Sequence, residues 1–509
     1  MKLLIENQMV TLKVLRQAWL EPVEVQIGRD AHRRVAESNE LIDDVVAGGE
    51  RVYGVNTGFG QLASVRISDN ELAHLQENLV RSHAVGVGKD LDDNIVRLVM
   101  LMKVIALAEG FSGVRPRLVE ALCALLNAGI YPRIPAQGSV GASGDLAPLA
   151  HMSGVLLGIG EARVDGELMP AATALANAGL EPIVLAPKEG LALLNGTQVS
   201  TALALAAVFR CENVLSAALV AGAMASDAIK GSDTPFDRRI QNVRGHGGQI
   251  AVASVLRELM RGSAIRASHE ACERVQDPYS IRCQPQVIGA CLGVLRHVCK
   301  VLQTEANAVT DNPLVFADTQ AVLSGGNFHA EPVALAADYL ALAVAEIGAL
   351  SERRIALLID THLSGLPAFL VREGGLNSGF MMAQVTAAAL ASENKSLAHP
   401  ASVDSLPTSA NQEDHVSMAT FAARRLHDML DNVSNIVAIE LLAAAQGLEF
   451  HHPQRSSAAL EGVLAAIREV SPPYNEDRSL SGDIARVAQL IESGSFCVHA
   501  ASVLPAHNE

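Results

Sequence analysis

The chain has 509 residues, of which 49% are apolar, 3% aromatic and 18% charged. This length allows two or more ordinary domains or one large helical domain. Lys and Arg number 39 against 55 Asp and Glu, and the resulting net charge of −16 argues against a nucleic-acid partner, whose binding depends on clustered cations.

The scarcity of aromatic residues indicates a core built from Ala, Leu, Val and Ile. Ala and Leu are strong helix formers, which favours long, closely packed helices. The seven cysteines, Cys272 among them, include no C-x-x-C pair. Their spacing therefore predicts neither a zinc motif nor a disulfide framework.

Charged residues interrupt the two segments that most resemble targeting or membrane sequences. Glu6, Lys13 and Arg16 break the apolar N-terminus, where a signal peptide needs an uninterrupted stretch. Asp338 and Glu346 break the apolar segment 333–350, which favours a buried helix over a membrane span. We therefore expect a reduced, cytoplasmic protein without a membrane partner.

The first 190 residues alternate between glycine-rich turns and helical stretches. The turns are YGVNTGFG (53–60) and HAVGVG (83–88), and the helical stretches are 91–109 and 115–128. A short strand is expected around 161–170. We predict a mostly helical N-terminal region over 1–190, with some mixed structure.

The rest of the chain, 191–509, is predicted to be a bundle of long helices. From Gln286 onward two adjacent apolar stripes repeat at helical spacing, giving a face so wide that several neighbours have to cover it. Similar patterns cover 190–230, 331–360, 381–398 and 413–447. The predicted fold class is mainly α, with the two regions sharing one continuous core.

One loop of the N-terminal region, GSVGASGDLAPLAH (138–151), is unusually rich in small residues. Gly138, Gly141 and Gly144 do not have the spacing of a phosphate-binding loop. A nucleophile elbow around Ser143 would need glycine where Asp145 stands. A third interpretation is that the backbone itself reacts.

In that third interpretation, Ala142, Ser143 and Gly144 condense with one another. The Gly144 nitrogen, the least hindered type, attacks the Ala142 carbonyl carbon. Loss of two waters, one of them from the Ser143 side chain, then gives a methylidene-imidazolone. Asp145 would begin the following helix, whose N-terminus favours negative charge. The spacing alone leaves an ordinary glycine-rich helix entry open.

The same loop closely resembles the signature of the aromatic amino acid ammonia-lyases, which form this electrophile autocatalytically. Further blocks are similar to that family in the same order along the chain: VYGVNTGFG (52–60), RSHAVGVG (81–88), LLNGTQ (193–198), QDPYSIRCQPQ (276–286), TDNPLVF (310–316), SGGNFHAEP (324–332) and SANQEDHVSM (409–418). The resemblance implies a carbon-nitrogen lyase whose 4-methylidene-imidazol-5-one cofactor forms from Ala142, Ser143 and Gly144.

The resemblance also implies roles for residues outside the loop. Tyr53 matches the base that removes the β-proton, and Tyr279 matches a second catalytic tyrosine. Asn195 and Gln276 match hydrogen-bonding positions around the cofactor and the substrate carboxylate. Arg282 matches the carboxylate-binding arginine, a task that suits the two-pronged guanidinium.

Three further residues match substrate-pocket positions of the family: His83, Phe328 and Glu413. In the family the pair at Ser82-His83 follows substrate choice, and Ser-His marks the members that act on histidine. An imidazole or a carboxylate can exchange hydrogen bonds with a substrate imidazole, and either would be left unpaired by a phenyl ring. The resemblance thus implies conversion of L-histidine to trans-urocanate and ammonia.

Two local features near these residues have structural interpretations. Ser409 and Gln412 have capping-box spacing, which predicts Glu413 in the first turn of a helix. The pairs His329 with Glu331 and Asp414 with His415 contain metal-ligating residue types, but the sequence shows no closed ligand set. We therefore predict no metal site.

The resemblance further implies a homotetramer of long helices, in which three chains complete each site. A tyrosine or phenylalanine ammonia-lyase, or an aminomutase with the same cofactor, is the close alternative. A helical scaffold that never dehydrates its loop is the alternative from another class.

Overall fold

The computed structural model describes residues 1–49, 51–58, 60–269 and 275–508. The prediction of a mainly α fold is confirmed. Among the described residues the α-helices, labelled in chain order, are Leu12–Leu20 (α1), Arg29–Gly48 (α2), Leu72–His83 (α3), Asp93–Ala108 (α4), Pro116–Asn127 (α5), Leu146–Leu156 (α6), Ala171–Asn177 (α7), Glu189–Leu194 (α8), Gln198–Ala228 (α9), Arg238–Arg244 (α10), Gly247–Met260 (α11), Ala264–Ala267 (α12), Tyr279–Arg282 (α13), Gln284–Ala306 (α14), Glu331–Ile359 (α15), Thr361–Ser364 (α16), Met381–Leu397 (α17), Ala419–Glu449 (α18), Ala458–Val470 (α19), Ser481–Glu492 (α20) and Pro505–Asn508 (α21).

The strands are short, and they pair in small sheets. β1 pairs with β2 in parallel, whereas β3–β5, β4–β6–β7 and β8–β9 are antiparallel. The hairpin β6–β7 confirms the strand expected around 161–170. Their bounds are Lys2–Ile5 (β1), Glu24–Ile27 (β2), Val87–Asp90 (β3), Tyr131–Pro132 (β4), Pro135–Gln137 (β5), Glu161–Val164 (β6), Glu167–Pro170 (β7), Leu314–Phe316 (β8) and Ala321–Leu323 (β9).

By its internal contacts the chain divides into two compact units. The first unit comprises Met1–Ala206, Cys299–Asp338 and Pro400–Arg424, and the second comprises Ala207–Val298, Tyr339–His399 and Arg425–Glu509. Each unit thus collects segments that are distant in sequence. The division into regions 1–190 and 191–509, drawn from sequence patterns, remains a prediction.

An apolar cluster in the first unit fixes the loop that carries Tyr53. Val55 is fully buried with Leu41, Ile42 and Val315. Val52, on the other side of Tyr53, packs against the same cluster. Burial of these branched side chains holds the turn in place, because interiors are close-packed and transmit displacement.

In the second unit a buried ion pair joins two of the long helices. Arg354 of α15 and Glu440 of α18 are both fully buried, and the Arg354 Nη2 donates to Glu440 Oε2 at 2.7 Å. Ser351 also donates to this carboxylate. Buried charges are tolerated only when they are paired and hydrogen-bonded in this way.

Three of the helices, α9, α14 and α15, are long and apolar enough to cross a membrane by length and composition. In α9, 94% of the most apolar 18-residue window is buried inside the structure, and in α15 the share is 61%. Asp338, expected to interrupt a membrane span, is 6% exposed and accepts hydrogen bonds from Ala401 and Ser402.

The described thiols are mostly buried. Burial raises the pKa of Cys123 and of Cys291 to about 12, so both remain thiols at neutral pH. Cys123, Cys211, Cys283 and Cys291 form no disulfide within the described residues. Cys272 lies outside them.

Candidate active site

The candidate cofactor loop connects β5 to α6, and a neighbouring segment fixes its end. Gly144 forms an isolated bridge with Gly196, and the Asp145 amide donates to the Gly196 carbonyl at 2.8 Å. α6 begins at Leu146, as predicted, but the Asp145 side chain makes no cap hydrogen bond. Pairing between backbones therefore sets the geometry of residues 144 and 145.

The start of the loop is held equally closely. The Gly141 carbonyl accepts hydrogen bonds from the Ser417 hydroxyl at 2.8 Å and from the Ala330 amide at 3.2 Å. The Val140 carbonyl accepts from the Met418 amide. Residues 142–144 thus lie between two anchored ends.

Glycine is required at position 144 for two reasons. Its φ is +76°, in the left-handed region that L side chains rarely adopt. A Cβ there would also lie 2.4 Å from the Gly196 carbonyl oxygen. The close approach of two glycine backbones gives the loop a compactness that other residues could not reach.

The Asp145 carboxylate anchors the base of the loop from inside. It is fully buried and accepts hydrogen bonds from three hydroxyls, those of Ser139, Ser200 and Thr420. The Ser200 amide at the start of α9 donates as well, at 2.8 Å. A carboxylate with this many donors is stable without water.

A cavity of about 1240 Å³ opens beside the loop, within the first unit. The structure brings seven of the residues singled out in the sequence to its wall: Tyr53, His83, Ala142, Ser143, Asn195, Phe328 and Glu413. They come from turns and helix ends rather than from one element.

Glu413 lies within hydrogen-bond distance of the loop. The Ser143 hydroxyl donates to Glu413 Oε1 at 2.6 Å, and the Thr408 hydroxyl donates to Oε2 at 2.6 Å. The prediction that Glu413 lies in the first turn of a helix is wrong, because α18 starts only at Ala419. Ser409, Ala410 and Asn411 have positive φ values of 50°, 53° and 67°, which a right-handed helix start does not allow.

His83 ends α3 and has one ring nitrogen committed to its own helix. Its Nδ1 lies 2.9 Å from the Leu79 carbonyl oxygen and 3.0 Å from the Ser82 hydroxyl. Burial lowers the pKa of His83, although the Leu79 carbonyl and the Glu413 carboxylate oppose the change. A neutral ring that donates from Nδ1 presents Nε2 as an acceptor.

Tyr53 sits in the turn held by the Val52–Val55 cluster. Its hydroxyl accepts a hydrogen bond from the Gly60 amide at 3.5 Å; Phe59 of the same block lies outside the described residues. Burial raises the pKa of Tyr53, the Gly60 amide lowers it, and the Glu413 carboxylate raises it. The net direction is upward, so this arrangement favours the phenol over the phenolate.

Asn195 follows α8 and is 5% exposed. Its side-chain Oδ1 is buried without a hydrogen-bond partner in the described part of the chain. A buried amide oxygen is costly to leave unpaired, so a ligand with a donor would find a partner here. Phe328 supplies half-buried apolar surface to the same wall.

Gly144, next to Ser143 in the first unit, is not itself part of the cavity lining, and the other three predicted site residues, Gln276, Tyr279 and Arg282, belong to the second unit and do not line this cavity. Gln276 and Arg282 line a separate cavity of about 630 Å³, whose other cations include Lys230 and Arg266. Tyr279 is 70% exposed, and the Arg282 guanidinium lies 4.8 Å from its ring centre. The structure of one chain therefore groups the predicted site residues in two separate sets.

His329, Glu331 and His415 lie close enough for one atom of each to approach a common ion, with these atoms within 4.8 Å of one another. His329 Nε2 is 3.3 Å from the His415 carbonyl oxygen, and Glu331 begins α15, where a carboxylate is favoured. The Glu331 Oε2 has no hydrogen-bond partner within the described residues, and the absence of a metal site remains a prediction.

Sequence reasoning missed several polar groups beneath the loop. Lys103 of α4 is 1% exposed and donates to the Asn195 carbonyl. Lys188 and Asp311 form a buried ion pair at 2.7 Å. One signal was available for Lys103, since it interrupts the apolar run VMLMKVIALA (99–108). Thr408 carried no such signal.

Comparison with known proteins identifies the family of this chain. The aromatic amino acid lyase family model matches residues 10–469. Histidine ammonia-lyase of Aromatoleum aromaticum is 63% identical over 465 residues, which are 91% of this chain and 88% of the relative.

Solved structures are similar over nearly the whole length. Histidine ammonia-lyase from Trypanosoma cruzi has a TM-score of 0.91 at 43% identity and covers 99% of this chain and 96% of its own. Tyrosine aminomutase from Streptomyces globisporus has a TM-score of 0.92 at 35% identity and covers 99% of both chains. The resemblance seen in the sequence is thereby confirmed, and this chain belongs to the aromatic amino acid lyase family.

Proposed function

We propose that this chain eliminates ammonia from L-histidine and releases trans-urocanate. The observation that carries the proposal is the single cavity in which the 142–144 loop, Tyr53, His83 and Glu413 meet. The relatives named histidine ammonia-lyase support the same reaction. The reaction breaks the Cβ–H and Cα–N bonds and forms a double bond between these carbons.

The loop fits the cofactor that the family implies. Ala142, Ser143 and Gly144 would form it, and the bridge between Gly144 and Gly196 already confines the Gly144 backbone. Asn195, whose Oδ1 has no hydrogen-bond partner among the residues that the structure describes, is a further polar residue of the cavity wall. Once formed, a methylidene-imidazolone would supply an electrophilic carbon that holds the substrate covalently during the elimination.

The side chains of the cavity can perform the proton and recognition steps. Tyr53 would take the β-proton as its phenolate. The neutral substrate imidazole has one N–H, which either His83 Nε2 or the Glu413 carboxylate would accept. A phenyl ring would offer neither acceptor a donor, which disfavours phenylalanine.

We infer that each site is completed by three copies of the chain, one of which supplies the carboxylate-binding residues. Gln276, Tyr279 and Arg282 would reach the cavity from that copy, as the sequence resemblance implies for a homotetramer. The exposure of Tyr279 supports this arrangement. An arginine brought close to Tyr53 would lower the pKa of its hydroxyl, and so offset the upward effect of burial. A cytoplasmic location remains a prediction.

The test of the proposed function is turnover of histidine, tyrosine and phenylalanine by the purified protein. We expect urocanate absorbance and free ammonia from histidine, at a kcat/KM at least about 100-fold above that for the other two substrates. Preferential turnover of tyrosine, or formation of a β-amino acid, would instead indicate an alternative member of the family. Intact mass measurement of the same sample should show the loss of two waters.

Shared sites predict complementation between two inactive variants. Ser143→Ala disables the loop and Arg282→Met disables the carboxylate-binding side chain. When the two chains are co-expressed and assemble at random, each site has an even chance of a working copy of each part, so about a quarter of wild-type activity should return. Mixing the separately assembled variants is the control. If co-expression restores no activity although mixed oligomers form, the loop and Arg282 act within one chain.

A further inference from the structure

A lysine lies buried close to the candidate site, among apolar residues that exclude water from its ammonium group. Lys103 is 1% exposed in the middle of α4, and its neighbours in the helix are apolar and buried. An ammonium group in such a place is costly unless protein atoms replace its water. Its partners therefore indicate what it does.

Those partners are carbonyl groups at the C-terminal end of α8, one in its last turn and one in the residue that follows it. Lys103 Nζ donates to the Ala192 carbonyl oxygen at 3.2 Å and to the Asn195 carbonyl oxygen at 2.5 Å. Carbonyls at a helix C-terminus lack partners within the helix, and a cation is favoured there. Lys103 thus fixes the point where α8 ends and the site segment begins.

The residue that follows this contact is the one that confines the loop. Gly196 bridges Gly144, and its carbonyl accepts the Asp145 amide. Asn195 itself lines the cavity. A shift of the Asn195 carbonyl would therefore move both a side chain of the site and the backbone against which Gly144 is pressed.

Charged groups around Lys103 balance its burial only in part. Burial lowers the pKa of Lys103 to about 7; the Asp311 carboxylate opposes the change, the Lys188 ammonium adds to it, and the Asp145 carboxylate opposes it. The Lys188–Asp311 pair is itself buried. The buried layer thus contains two ammonium groups and two carboxylates close to the loop.

We propose that Lys103 is a positioning residue that holds the Asn195–Gly196 segment against the 142–144 loop, both for dehydration of the loop and for turnover. The inference rests on the proposed function. Lys103 touches neither the substrate nor the reacting atoms, and it acts through the two carbonyls that it binds.

The test compares Lys103→Met with a matched variant in the same helix. Arg97 is also buried in α4, and its guanidinium donates to the Ala18 and Trp19 carbonyls, away from the cavity. Arg97→Met therefore removes a buried cation and its carbonyl contacts without touching the site. For each protein we would measure Tm, the fraction that has lost two waters, and kcat and KM per dehydrated chain.

We expect both variants to have a lower Tm than wild type. Only Lys103→Met should also show reduced dehydration and a reduced kcat per dehydrated chain. Its dehydrated fraction should fall, and kcat per dehydrated chain should drop about 10- to 100-fold, as for a misplacement on the scale of an ångström. KM should change less, since the substitution leaves Arg282 and the other substrate-binding side chains unaltered. Arg97→Met should keep kcat per dehydrated chain within about twofold of wild type, since changes distant from the site act independently of it.

Equal dehydration and equal kcat per dehydrated chain in the two variants would overturn the proposal and leave Lys103 a stability role alone. If Lys103→Met is insoluble, Lys103→Gln takes its place, and the same comparison decides the outcome. The wild-type protein separates this question from the proposed function. If wild type loses no water and does not turn over histidine, the proposed function fails. If wild type is dehydrated and active, and Lys103→Met matches it in dehydration and in kcat per dehydrated chain, only the positioning role of Lys103 fails.

Discussion

Replacing Ser143 with alanine should lower kcat by at least about 10³-fold, the largest effect expected for a single substitution in this protein. Without the Ser143 hydroxyl, the loop cannot lose the water that creates its electrophilic carbon. Wild type should weigh two waters less than its sequence mass. The variant should lose at most one water from its own sequence mass, because the hydroxyl that leaves as the second water is absent. Intact mass spectrometry and the urocanate assay measure the two effects on one sample.

The structure offers a matched control for this substitution. Ser153 is a fully buried serine in α6, and its hydroxyl donates only to the Leu149 carbonyl of its own helix. Ser153→Ala should keep the two-water loss and nearly all activity. A Ser143→Ala protein with close to wild-type turnover would show that the reaction does not depend on dehydration of this loop.

Replacing Tyr53 with phenylalanine should reduce kcat/KM by about 10²- to 10⁴-fold, the range typical of a general base. The loop itself should still lose two waters, because Tyr53 takes no part in the condensation. The loss would thus separate the proton-transfer step from formation of the electrophile.

The pH profile gives the same prediction a second readout. A base acts in its deprotonated form, so kcat/KM of the wild-type protein should rise with pH as Tyr53 loses its proton. Burial and the Glu413 carboxylate raise the pKa of Tyr53 within one chain, and an arginine from another copy would lower it, so the pH at which the rise occurs reports the balance of these effects. Tyr53→Phe should abolish the rise. Tyr131→Phe, in which a buried tyrosine outside the cavity loses its hydroxyl, should preserve it. A Tyr53→Phe protein with an unchanged profile would assign the base to another group.

The helical architecture could be predicted because burial leaves a local pattern in the sequence. The stripes that begin at Gln286 correspond to α14, and the apolar segments predicted at 331–360 and 381–398 correspond to α15 and α17. The helix expected from residue 413 begins at Ala419 instead. Periodicity does not reveal the left-handed backbone at Ser409–Asn411, after which Glu413 pairs with Thr408 in an isolated bridge instead of entering a helix.

The residues of the cavity could be named from motifs, but their partners could not. Ser143 and Glu413 are 270 positions apart, yet they share a hydrogen bond of 2.6 Å. Neither motif contains information on how far it lies from the other in the folded chain. The placement of Gln276, Tyr279 and Arg282 in the second unit was equally invisible in the sequence.

By itself, then, the sequence determined which segments are helical, which loop has the residues to condense, and which side chains resemble those of a lyase site. Only the tertiary structure decided which distant residues contact one another. Gly196 pairs with Gly144, the Thr408 hydroxyl donates to Glu413, and Lys103 donates to the Asn195 carbonyl. The physical reason is that each helix follows from contacts between near neighbours, whose spacing the sequence records directly. Contacts across hundreds of residues arise from the packing of whole elements, and one residue's identity does not specify them.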